Sequence, residues 1–108
     1  MAEKMITVVQ TTTFLKLVDD FFPKKDDLDE LINFLAINPN AGDVVPGTNG
    51  CRKLRWPAKA KGSGKRSGYR IYFEFISEQE EIWIHTVYAK NEQEDLTMKQ
   101  RKNIRKSE

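Results

Sequence analysis

Tyr69-Arg70-Ile71-Tyr72-Phe73-Glu74-Phe75-Ile76 decides the fold. Residues two apart on a strand project to the same side of a sheet. Read as a strand, this segment places Ile71, Phe73 and Phe75 on one apolar face. Arg70, Tyr72 and Glu74 take the other face. Upstream, Cys51 to Trp56 reads as a second strand, with Pro57 ending it. There Lys53 and Arg55 project to one side, and Arg52, Leu54 and Trp56 to the opposite side. With Leu54 and Trp56 turned inward, Lys53, Arg55, Arg70 and Tyr72 share the outer surface. Downstream, Ser77-Glu78-Gln79-Glu80 reads as a turn, and Glu81 to Ala89 as a third strand apolar enough to be central.

Before these strands the period changes. Ile6-Thr7-Val8-Val9 is short and β-branched, hence a first strand. Phe14, Leu17, Val18 and Phe21 fall at helical spacing, behind candidate caps Thr11, Thr12 and Thr13. Pro23 stops that helix. Leu28, Leu31, Ile32 and Leu35 repeat the spacing, with Asp26 or Asp27 as a cap and Glu30 completing a capping box. Gly42, Pro46, Gly47, Asn49 and Gly50 mark a loop. Thr97 and Gln100 open a C-terminal helix rich in Lys and Arg. The order is β-α-α-β-β-β-α. It predicts an α+β fold in which a small antiparallel sheet carries two N-terminal helices on one face, with a short C-terminal helix. Residues 1–108 form a single domain.

Composition narrows the function classes. The chain has 108 residues, one cysteine and one histidine. Cys51 alone makes no internal disulfide, and the counts exclude cysteine-based zinc sites and multi-histidine metal sites. No apolar run is long enough to span a membrane, and no signal-peptide core opens the chain. A cytoplasmic protein without membrane, metal or cofactor is expected. The net charge of +2 conceals an asymmetry. Residues 1–43 carry 4 basic and 8 acidic side chains, whereas residues 44–76 carry 8 basic and 1 acidic. Residues 77–108 carry 6 basic and 7 acidic. The segment nets are therefore −4, +7 and −1. The basic block covers the two strands carrying Lys53, Arg55 and Arg70, and points to a polyanionic partner.

Those residue types suit RNA. Cations neutralise phosphates, and an aromatic such as Tyr72 stacks on an unpaired base. Lys65 and Arg66, in the glycine-rich connection, are placed to close over the strand. Cleavage by attack of a 2′-hydroxyl on the adjacent phosphate needs a proton acceptor, a leaving-group acid and charge stabilisation. Clustered lysines favour a neutral base, and arginine holds phosphate oxygens in a bidentate manner. A basic face that binds RNA or an acidic partner without chemistry satisfies composition equally well.

Three further segments carry a family resemblance. They are Gly42-Asp43-Val44-Val45-Pro46-Gly47-Thr48, Gly64-Lys65-Arg66-Ser67-Gly68-Tyr69-Arg70 and Val87-Tyr88-Ala89-Lys90-Asn91-Glu92. With Arg52-Lys53-Leu54-Arg55-Trp56 between them and Asp95-Leu96-Thr97 after them, they resemble the HigB-like branch of the RelE toxins of type II toxin–antitoxin modules. The resemblance implies a ribosome-dependent endoribonuclease that cuts mRNA in the A site. It implies a cognate antitoxin as partner, a helix-turn-helix protein of HigA-like type. Carried over by position, Lys53 and Arg55 match paired cations, and Arg70 the arginine that stabilises the transition state. Lys90, or the adjacent Asn91, matches a basic position after the last strand. Lys65 and Arg66 match an RNA-gripping loop. The tail from Lys99 to Glu108 has no aromatic or histidine, so base and acid stay unassigned. Two rivals remain: a non-cleaving RNA- or ribosome-binding module, and an inactive toxin-like partner of an antitoxin.

The remaining singular residues read as structural. His85 is expected to be a hydrogen-bonded histidine sharing a face with Trp83, Val87 and Ala89. Cys51 is expected to be a semi-buried inert thiol, and Trp56 a core or rim aromatic.

Overall fold

The computed structural model describes residues 6–48, 50–58, 68–89, 98–100 and 102. Strand β1 is Thr7–Gln10, followed by helices α1 (Thr12–Phe21) and α2 (Lys25–Ile37). Strands β2 (Asp43–Val44), β3 (Arg52–Trp56), β4 (Tyr69–Ile76) and β5 (Glu81–Ala89) complete a five-stranded sheet of order β1-β5-β4-β3-β2. Residues 98–100 and 102 are helical.

The α+β class and the expected order hold, with two differences in the sheet. Strand β1 pairs with β5 in parallel, so the sheet is mixed rather than antiparallel. The αα connection carries the chain back before it enters the sheet again, which leaves β1 free to run alongside β5. The second difference is β2, a two-residue strand inside the segment expected to be a loop. It pairs Asp43 with Lys53 and Val44 with Arg52.

Thr11 caps α1. Its hydroxyl accepts from the Phe14 amide at 3.2 Å and lies 2.9 Å from the Ile84 carbonyl, to which it donates. One side chain thus starts the helix and ties it to the central strands. Helix α2 begins earlier than the capping-box reading, at Lys25, and its cap Lys24 makes no side-chain cap bond. Asp26 and Asp27 instead lie in the first turn, where negative charge complements the helix dipole.

Both helices cover one face of the sheet. Phe14, Phe21, Phe22, Leu31 and Leu35 form a core with Trp56, Tyr69, Ile71, Phe73, Ile82 and Ile84. Phe21 meets the Tyr69 ring edge-on at 4.9 Å, and Phe34 meets Trp56 at 5.3 Å. These contacts clamp the start of β4 and the end of β3 from behind. Alternation then sends Arg70 and Arg55 to the far face.

Gly42 sets the approach of the α2–β2 connection to β3. Its φ is +77°, and a Cβ there would overlap the Lys53 carbonyl oxygen and lie 2.9 Å from the carbonyl carbon. Arg52 Nη1 donates to the Asn40 carbonyl at 2.9 Å, holding the same connection down. No helix among the described residues is long and apolar enough to cross a membrane.

Candidate nucleic-acid interface

The face opposite α1 and α2 is organised in rows by strand register. Residues paired across antiparallel strands point to the same side. Arg55 pairs with Arg70, and Arg70 with Tyr88, making one row. Lys53 pairs with Tyr72, and Tyr72 with Thr86, making the next. Asp43 extends the second row at the sheet edge, beside Lys53. The three expected cations therefore do share one surface.

Their exposures differ sharply. Arg55 is exposed and Lys53 half-buried, whereas Arg70 is only 5% exposed. Among the described residues Arg70 has no carboxylate partner; its Nη1 donates to the Tyr69 carbonyl at 3.3 Å. A buried guanidinium without a counter-charge is costly unless an anion completes it. Arg55 directly opposite adds like-charge repulsion. Together the two arginines concentrate positive charge on this face of the sheet.

Tyr72 occupies the cationic face as expected but is completely buried. Its ring packs with Val45, Cys51 and Tyr88 in a second, smaller core. The turn after β2 supplies this cover, held by the Val45 amide donating to the Cys51 carbonyl at 2.8 Å and the Thr48 hydroxyl donating to the Val45 carbonyl at 2.6 Å. The expectation of an exposed stacking aromatic is therefore corrected. A strand alternation identifies the face but not a turn folded over it. Cys51 is fully buried in the same cluster, and Trp56 is a core residue.

Tyr88 reads in the sequence as a core residue, and it is buried, but its contact with Tyr72 is not legible there. Its hydroxyl lies 2.8 Å from that of Tyr72, with ring centroids 5.5 Å apart. The signal was its even spacing from Thr86, hidden by the apolar run around it.

A β-bulge also revises the face of His85. Tyr72 pairs with Thr86 but Phe73 pairs with Ile84, leaving His85 as the extra residue. Val87 and Ala89 consequently join the helix-side core, while Trp83 lies across from Glu74 on the other face. His85 Nε2 lies 3.2 Å from Glu74 Oε1, both largely buried. A hydrogen-bonded histidine is thus present, but the bulge removes it from the face of Val87 and Ala89, with which simple alternation groups it.

Lys90, Lys65 and Arg66 lie outside the described residues. No group of three or more potential metal ligands occurs among the described residues.

No family model matches the chain. In fold it is similar to the E. coli toxin RelE, solved as a mutant in the free state. The TM-score is 0.60 at 16% identity, over 84% of this chain and 90% of that one. The fold is therefore RelE-like.

Proposed function

We propose that this chain is the toxin of a type II toxin–antitoxin module of the HigB-like branch, acting as a ribosome-dependent endoribonuclease on mRNA in the A site. The observation that carries the reading is the convergence of Lys53, Arg55 and Arg70 on one face of a RelE-like sheet, with Arg70 buried and without a carboxylate partner among the described residues. In this reading Arg55 and Arg70 hold the non-bridging oxygens of the scissile phosphate. Lys53, one row away, accepts the proton of the attacking 2′-hydroxyl. A new bond forms from the 2′-oxygen to phosphorus, and the bond to the 5′-oxygen breaks, that oxygen taking a proton from water as it leaves as the 5′-alcohol. Protein cations supply the charge stabilisation, so no metal or cofactor takes part. Lys90 is kept as a fourth catalytic cation, with Lys65 and Arg66 as RNA contacts. Tyr72 lies beneath that surface, not on it.

The ribosome supplies the orientation that makes a modest set of cations sufficient. The partner is an antitoxin of helix-turn-helix, HigA-like type, and the site of action is the cytoplasm. The test is induction of the chain alone, followed by mapping of mRNA ends. Growth arrest with cuts in A-site codons is expected. Arrest without cuts would favour a non-cleaving ribosome binder, and absence of arrest by a folded chain would favour an inactive partner.

A further inference from the structure

We infer that the Tyr72–Tyr88 hydroxyl pair is a positioning element that holds Arg70 and Lys53 in register for cleavage. The inference rests on the endonuclease reading and deepens it. Tyr88 is the register partner of Arg70, and Tyr72 that of Lys53. The bond between their hydroxyls, 2.8 Å, therefore links the two cationic rows. It runs diagonally across the β4–β5 pair, because the direct partner of Tyr72 is Thr86.

Its location gives it a task. The β4–β5 register shifts between Tyr72 and Phe73, immediately beside the pair. A bulge interrupts the ladder and increases the local twist. On one side of it stands the row of Arg70; on the other, the Glu74–His85 pair. Arg70 also faces Arg55, whose charge pushes it away. The Tyr72–Tyr88 bond joins the last regular pair before the bulge, Tyr72–Thr86, to the Arg70–Tyr88 pair, and so braces the Arg70 side of the interruption with a buried side-chain bond. Both tyrosines are 6% exposed or less, and their rings pack with Val45 and Cys51. Neither can stack on a base, so their effect on RNA passes through Arg70 and Lys53.

The test compares the full-length chain with Tyr88→Phe, Tyr72→Phe and the double variant on translating ribosomes loaded with mRNA. Phenylalanine keeps each ring and removes the bond. Single-turnover cleavage is expected to fall about tenfold or more in each single variant, in line with the cost of a small misplacement of reacting groups. The double variant should lose less than the product of the two single losses, because the shared bond is lost only once. The half-saturating concentration and ribosome affinity should not change. Wild-type cleavage rates in both single variants would overturn the positioning role, as would a loss that appears wholly as weaker ribosome binding. A folded wild-type chain that binds ribosomes without cutting would overturn the endonuclease reading and this role together, and so differs from failure of the tyrosine pair alone.

Discussion

Arg55 and Arg70 stand directly opposite each other on adjacent antiparallel strands, the first exposed and the second 5% exposed. Like charges so placed repel, by roughly 0.2–1 kcal/mol for a directly opposed pair. Removing the exposed member should therefore relieve the sheet while weakening RNA binding. Arg55→Ala is expected to leave the Tm unchanged or raise it slightly. Its affinity for an unstructured RNA oligonucleotide should fall, and the salt dependence of binding should flatten by about one phosphate contact. Thermal melting and binding titrations across salt concentrations check both. A lower Tm with unchanged RNA binding would contradict this.

Arg70→Lys separates charge from geometry. A lysine keeps the positive charge but not the planar fork that holds two phosphate oxygens. Cleavage should remain well below wild type, while binding of the RNA oligonucleotide stays near it. Equal activity of Lys and Arg at this position would show that only a point charge is used.

Gly42→Ala tests the link between α2 and the cationic strand. The new methyl would overlap the Lys53 carbonyl, and φ at +77° is adverse for any residue with a Cβ. Urea unfolding should show a loss of about 1–3 kcal/mol. A smaller ribosome-cleavage rate should accompany it, since Lys53 moves with its backbone. A neutral substitution would mean that this connection does not seat β3.

Thr11→Ala removes an N-cap and the bonds from α1 to the β5 carbonyls of Ile84 and His85. The expected cost is about 1–2 kcal/mol in urea unfolding. Thr11→Ser should recover most of it, because serine keeps the hydroxyl. The position lies on the helix side, so activity per folded molecule should not change.

Much of this fold is legible in the sequence, for identifiable reasons. The bounds of β4 and β5 follow from alternation and from a polar turn between them. Both helices follow from apolar spacing around Pro23, and the face shared by Lys53, Arg55 and Arg70 follows from parity alone. The parallel pairing of β1 was not legible, since a strand's own residues do not state its neighbour. Burial of Tyr72 was hidden because the turn carrying Val45 and Cys51 is distant in sequence and reads only as a loop. One extra residue at His85 was enough to reverse the parity of β5. Tyr88 was legible as a core residue, but not the face on which it lies, because an apolar run conceals which way its members point.

In the proposed function Arg70 stabilises charge on a phosphate being cut on the ribosome. The most direct test of this role is single-turnover mRNA cleavage on A-site-programmed ribosomes by wild type and Arg70→Ala, with folding of both confirmed by thermal melting. The expected result is A-site cutting by wild type and a loss of about 10²–10³-fold in Arg70→Ala, the scale of removing one transition-state donor. Cutting at the wild-type rate by folded Arg70→Ala would contradict the account.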